Sequence, residues 1–225
     1  MLTLYQMEHS PYCDKVRRIL RYKGIPFEIQ EVSMLDGNKH SPTGKLPVID
    51  LDGKYLDDST QIAHALELQF PEPSLIPATP KERAQCHLLE DWADESLYFY
   101  EMALHFAFAE NVQPRLDQLT EHDSSLRRGL IKRVFPPILK HVLWAQGAGR
   151  RGRERILEDV SRHLRAITDL LGDRQYLIGS ELTLADIAVY CQLNAMCETE
   201  QGKQICTQEP TVVAWLLRVR QRTGG

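Results

Sequence analysis

Apolar positions change their spacing about a third of the way along the chain. Up to residue 57 they fall in short runs divided by turn residues, and beyond residue 80 they recur with helical period. Leu2-Thr3-Leu4-Tyr5 predicts a first strand, and Val16, Ile19 and Leu20 predict a helix behind it. Ser10 has N-cap chemistry, Pro11 takes the first helical position, where a missing N–H costs nothing, and Gly24 fits the stop. Arg17, Arg18, Arg21 and Lys23 put positive charge toward the C-terminal end, where the helix dipole favours it. Ile25 to Val32 alternates as a second strand, and Ser33 to Lys45 is a polar loop with Gly37, Pro42 and Gly44. Pro47 to Leu51 is a third strand, turned by Asp52-Gly53 into Lys54-Tyr55-Leu56-Asp57. Asp57 to Ile62 then opens another helix, continued by Ala65, Leu66 and Leu68 and capped by Ser59 or a neighbouring aspartate.

Phe70 to Pro80 holds four of the chain's 12 prolines and reads as a stiff linker between two domains, residues 1–78 and 79–225. Ala84, Leu88, Trp92, Phe99, Met102 and Phe106 predict one long helix from Lys81 to Glu110. Its apolar residues, Trp92 and Phe99 among them, exceed what one helix face needs, so they point either to a homodimer or to the monomer core. Ile131, Phe135, Ile138 and Val142 continue the period, with Pro136-Pro137 expected to kink or divide that helix. Gly147 to Arg155 is a basic interhelix loop, and Ile156, Val160, Leu164, Ile167 and Leu171 share one face of the next helix. Thr183 and Asp186 have N-cap and N3 spacing, a carboxylate form of the capping box, with Leu182 and Ile187 placed as a hydrophobic staple. That pattern makes Asp186 a structural residue. Thr211 to Arg220 is the last helix.

Composition narrows the function. A net charge of −4 on 225 residues gives no reason to expect nucleic acid. No apolar run approaches the roughly 18 residues of a membrane span, and the first residues carry no basic-then-apolar leader. The five cysteines are an odd count with no metal-type CxxC, as reduced thiols in the cytoplasm would be. The histidines form no HExxH or comparable set, so no metal is expected, and His87/Asp91 reads as a surface pair.

The candidate chemistry lies at the start of the first helix. A strand delivers Ser10 to a helix N-terminus, among unsatisfied N–H groups and positive dipole, where a bound thiol can be held as thiolate. Cys13, three residues on, is the rival nucleophile or else a small buried residue. Free N–H groups and a hydroxyl at Asp58-Ser59 suit a carboxylate, and a nearby aspartate suits an ammonium.

Ser10-Pro11-Tyr12-Cys13 resembles the Cys-Pro-Tyr-Cys of a glutaredoxin, with serine in place of the first cysteine. With Lys45-Leu46-Pro47-Val48, Asp58-Ser59, the proline-rich linker and the Thr183-to-Asp186 cap, the chain resembles a serine-type, cytosolic-type glutathione transferase. The resemblance implies a thioredoxin-like α/β N-terminal domain with a mixed four-stranded sheet, and an all-α domain for substrate binding and dimerisation. It further implies that Ser10 donates to the glutathione sulfur and that Pro47 is cis. Val48 would pair with the cysteinyl backbone, Asp58-Ser59 would hold the γ-glutamyl end, and Lys45 would meet the glycyl carboxylate. His9 and Tyr12 would border the second substrate, a small hydrophobic electrophile. Tyr5 is a third candidate hydroxyl, since tyrosine-type relatives draw theirs from the end of the first strand. Two alternatives stand beside conjugation: a non-catalytic ligand-binding protein of the same fold, and a Cys13-dependent thiol-disulfide oxidoreductase. Asn111 to Arg155 matches no class of the family.

Overall fold

The computed structural model describes residues 2–224. Strand β1 (Leu2–Gln6) buries alternate side chains, as a central strand does. It pairs in parallel with β2 (Phe27–Glu31) and antiparallel with β3 (Val48–Leu51), and β4 (Lys54–Asp57) closes the far edge in the order β2-β1-β3-β4. A parallel pair needs a crossover, supplied by α1 (Pro11–Tyr22), whose Val16, Ile19 and Leu20 are fully buried. At the β3–β4 hairpin Asp52 and Gly53 both have positive φ, 54° and 87°, as a two-residue turn of this hand requires. The Leu46–Pro47 and Glu72–Pro73 peptide bonds are cis.

The basic residues of α1 depart from expectation. Of Arg17, Arg18, Arg21 and Lys23, only Arg21 is exposed. Arg18 reaches Thr223 Oγ1 at 2.7 Å, and Lys23 donates to the carbonyls of Phe70 and Pro73 at 2.8 and 2.9 Å. Their stems lie along apolar surface while their heads find fixed acceptors, so they tie the α/β unit to the linker and the C-terminus.

After α2 (Ser59–Gln69) every described element is helical, and all four strands precede residue 58. The expected long helix is shorter and interrupted. It comprises α3 (Pro80–Trp92), a π turn at Ala93–Leu97 and α4 (Tyr98–Phe106), and it ends where Phe108 turns extended and buries its ring completely. Trp92 and Phe99 are partly buried and pack against the monomer's own core. Beyond α5 (Ala109–Leu119), α6 (Ser125–Gln146) runs undivided through Pro136 and Pro137. The carbonyls those prolines leave without donors belong to half-buried Lys132 and exposed Arg133, within reach of water. Only Ile131 and Leu143 of α6 are buried; Ile138 and Val142, expected inside, are 49% and 40% exposed.

The helical half is organised around α8 (Leu184–Met196), buried at every position except Asn194 and packed against α1, α3, α4, the π turn and α10 (Pro210–Arg222), while α7 (Arg153–Leu171) and α9 (Glu200–Thr207) pack on α10 and on each other. The capping box forms as read. Asp186 Oδ2 accepts from the Thr183 N–H and hydroxyl at 3.0 and 2.8 Å, and Oδ1 accepts from Leu177 N–H and Trp215 Nε1 at 2.8 and 2.9 Å. Burial pushes this carboxyl above its ordinary range while its four donors oppose the shift. One side chain thus satisfies the start of α8, the preceding loop and α10. Asp186→Ala strands those buried donors, and the expected loss is at least ~3 kcal/mol, a Tm lower by ~6–12 °C. A calorimetric Tm within a degree of the parent would contradict this role.

Candidate active site

Ser10 is extended (φ −79°, ψ 126°) and its Oγ accepts the Cys13 N–H at 3.5 Å, the capping bond expected of it. An accepting oxygen keeps its own proton free. Among the described residues the Ser10 hydroxyl has no acceptor, and it borders a cleft of about 490 Å³ where the α/β unit meets α3 and the π turn.

The cleft gathers most of the expected residues. Ser10, Tyr12, Lys45, Pro47, Asp58 and Ser59 all line it. Asp58, rather than Ser59, caps α2: its Oδ1 takes the N–H groups of Thr60 and Gln61, both at 3.0 Å, from a strained φ of 68°. Ser59 is thereby the first helical residue, buried with its hydroxyl at the cleft. Lys45 is exposed at the rim.

Two expectations change, at Val48 and His9, and two alternatives fall away, at Tyr5 and Cys13. Val48 does not line the cleft; it is fully buried and registered with both Tyr5 and Asp57, so its backbone serves the sheet. The residue before the cis proline, Leu46, fronts the cleft instead, ahead of the point where β3 pairing begins. His9 faces away from this cleft, across a separate groove, with Nε2 3.6 Å from Glu121, beside His122, Glu8 and the α5–α6 connection. Tyr5 stacks on His40 with ring centroids 4.5 Å apart, outside the site. Cys13 is completely buried, and burial pushes its thiol up to about 11 despite the helix N-terminus beside it.

Tyr12 does line the cleft, but its hydroxyl is committed, donating to the Asp94 carbonyl at 2.7 Å. Burial, then Tyr98 and Asp94, raise its pKa far beyond the physiological range, so it stays a neutral wall with the Tyr98 ring, centroids 5.0 Å apart.

Behind the wall lies a group absent from the sequence reading. Lys15 is 1% exposed; its ammonium donates to Glu90 and, at 2.7 Å, to Asp94 Oδ2, with Ser59 Oγ and Thr60 Oγ1 at 3.4 and 3.3 Å. Burial opposes the Lys15 charge, yet Asp94 and Glu90 outweigh it and hold the pKa above the ordinary lysine value. Burial likewise opposes the Glu90 charge, and Lys15 outweighs it, holding that carboxyl below its usual range, whereas burial raises Asp94 to about 6. Asp94 Oδ1 is buried without a hydrogen-bond partner. The sequence carries a signal for this cluster: Glu90 and Asp94 stand at i, i+4, and Lys15 stands four residues before apolar Ile19 on one face of α1. Arg115 of α5 adds support from the other side, donating to the His9 carbonyl and to buried Glu101, both at 3.0 Å, and so fixing the residue before Ser10.

Burial of Cys13 has a direct consequence. Site-resolved alkylation by iodoacetamide at neutral pH leaves Cys13 unmodified in the folded protein while it reacts in denaturant; rapid modification of the native thiol would contradict the assignment.

Comparison with known proteins agrees with this geometry. Residues 4–74 match the model of the glutathione S-transferase N-terminal domain, and residues 139–223 that of the C-terminal domain. The isoprene-epoxide glutathione S-transferase of Rhodococcus sp. (strain AD45) is 27% identical over 95% of this chain and 92% of its own. Protein LigF of Sphingobium sp. (strain NBRC 103272 / SYK-6) is 27% identical over 98% of this chain and 90% of its own. Among solved structures, a glutathione S-transferase from Rhodospirillum rubrum F11 superposes with a TM-score of 0.71 at 24% identity, covering 98% of this chain and 88% of that one. One from Methylobacterium radiotolerans JCM 2831, in complex with glutathione sulfonate, gives 0.65 at 26%, covering 98% and 91%. A mixed β2-β1-β3-β4 sheet, a capped Ser10 at a cleft and two matched domains lead to one assignment: the chain belongs to the glutathione S-transferase superfamily.

Proposed function

We propose that the protein conjugates glutathione to a small hydrophobic electrophile, with Ser10 holding the glutathione sulfur as thiolate. The observation that carries this reading is the contrast at the start of α1: a Ser10 hydroxyl with an uncommitted proton at the cleft, and a Cys13 thiol sealed beneath it. A free thiol has a pKa of ~8.5, so only a few per cent is thiolate at neutral pH. Lowering it by about two units requires ~2.7 kcal/mol of preferential stabilisation. A charge-assisted bond from Ser10 supplies roughly 1.5–3 kcal/mol and the helix N-terminus about 0.3–1 kcal/mol more. No general base is needed, because the sulfur is held deprotonated before the electrophile arrives.

Residues 1–78 form the glutathione-binding domain in this reading and residues 79–225 the domain for the second substrate. The γ-glutamyl end lies at Asp58-Ser59, the cysteinyl backbone against Leu46 and Pro47, and the glycyl carboxylate near Lys45. The Tyr12–Tyr98 wall offers aromatic surface to an apolar electrophile, and the isoprene-epoxide enzyme among the relatives is named for an electrophile of that kind. Five free cysteines accord with a reducing cytoplasm, and no described helix is long and apolar enough to cross a membrane. In this reading the protein is a homodimer, and the exposure of Leu68 and Leu88, 88% and 67% on α2 and α3, supports a second copy covering them.

The test is steady-state conjugation of a reactive aromatic halide. Ser10→Ala slows turnover at neutral pH by ~10- to 100-fold, the cost of one charge-assisted bond, and shifts the pH–rate profile to higher pH. Glutathione affinity changes little, since the peptide is anchored at both ends, and Cys13→Ala keeps the parent rate. Turnover abolished in Cys13→Ala but retained in Ser10→Ala would replace this mechanism with a cysteine-dependent one.

A further inference from the structure

The Lys15 cluster lies against the end of the cleft where Ser59 stands, and proton bookkeeping gives it a role. An ammonium has three protons and no lone pair. Two protons serve Glu90 and Asp94; the third lies between Ser59 Oγ and Thr60 Oγ1. The Thr60 hydroxyl donates to Glu90 Oε1 at 2.5 Å. Ser59 has no such outlet: among the described residues its hydroxyl has no acceptor, although the side chain is 5% exposed and borders the cleft. Because Lys15 can only donate, Ser59 Oγ is the acceptor in the contact between them, which leaves the serine proton to turn away from the ammonium.

We infer that Lys15 is a positioning residue of this site, fixing the Ser59 hydroxyl as an obligate donor toward the cleft and so selecting a ligand that carries a carboxylate there. The role is electrostatic as well as geometric, since a hydroxyl that accepts from a cation is a stronger donor. Lys15 touches no ligand itself. It sits one and a half helical turns after Ser10 on α1, so the helix that presents the sulfur-binding hydroxyl also sets the donor at the other end of the peptide. The inference rests on the glutathione reading above and adds how its γ-glutamyl end is recognised.

The experiment measures binding by calorimetry with three peptides: glutathione, 4-aminobutanoyl-cysteinyl-glycine, which lacks only the γ-glutamyl α-carboxylate, and glutaryl-cysteinyl-glycine, which lacks only the amine. The parent protein is expected to prefer glutathione over the carboxylate-free peptide by ~10-fold or more. In Lys15→Met/Glu90→Gln, which removes the cation together with one of its anions, that preference falls to within about threefold. Affinity for the carboxylate-free peptide stays within twofold, and the glutaryl peptide weakens in step with glutathione. Ser59→Ala shows the same selective loss, and adding it to the Lys15 variant costs nothing further. A Lys15 variant that keeps the parent's preference, or that weakens all three peptides equally, overturns the inference. A parent that binds glutathione without preferring the carboxylate overturns it and leaves the Ser10 reading standing; a parent that binds no glutathione overturns both. Neutron diffraction on the parent protein tests the same point without a substitution. A Ser59 deuteron directed into the cleft supports the inference, and one directed at Glu90 or Asp94 refutes it.

Discussion

An ammonium buried to 1% exposure keeps its charge only with anions beside it, and Lys15 finds them on a different part of the chain from its own helix. Desolvating each ion costs several kcal/mol, repaid only when the geometry is good and the remaining donors are satisfied. That condition draws together α1, the start of α2, α3 and the π turn, four of the elements that border the cleft. The π turn at Ala93–Leu97 belongs to the same solution: it places Asp94 within 2.7 Å of Lys15 while its carbonyl receives Tyr12. An extra residue in one turn rotates the face that follows, and both Asp94 within the turn and Tyr98 after it line the cleft.

With the scaffold so held, the chemistry at Ser10 needs little more. A hydroxyl at a helix N-cap accepts from the backbone and donates outward, so its proton faces the cleft by construction. Cys13, one turn deeper, feels the same dipole but not the same solvent, and burial wins: its thiol is pushed up to about 11. The site separates two potential nucleophile partners by depth alone. Arg115, reaching from α5 to the His9 carbonyl, shows how the helical half steadies that first turn from the opposite side.

Local patterns in the sequence revealed the fold well. The Asp52-Gly53 turn and the Thr183-to-Asp186 box each report a constraint satisfied within a few residues, and both form at those positions; the alternation of Ile25 to Val32 does not carry over, since β2 spans only Phe27–Glu31 at the sheet edge and leaves Ile29 47% exposed. The errors fall where tertiary contacts decide. Helical period ran past Phe106 because Phe108 leaves the helix for a pocket that periodicity does not encode. Ile138 and Val142 share the period of α6 yet lie outside, since spacing names a face without naming its partner. Arg18 and Lys23 look like helix-end charge in the sequence because their acceptors Thr223 and Phe70 lie far along the chain. In the candidate site, motif residues at element starts (Ser10, Pro47, Asp58, Ser59) were legible. His9 turned to another groove, Val48 yielded to Leu46, and Lys15, Glu90 and Asp94 escaped notice because their meaning lies in a contact across some 75 residues.

The central claim is that Ser10 and the helix N-terminus hold the glutathione sulfur as an anion before any electrophile binds. Titrating the ultraviolet absorbance of the thiolate in the binary complex with glutathione measures this without turnover. The account predicts a bound thiol that deprotonates about two units below the ~8.5 of a free thiol, and that returns most of the way in Ser10→Ala. A bound thiol that titrates like free glutathione in the parent protein would contradict it.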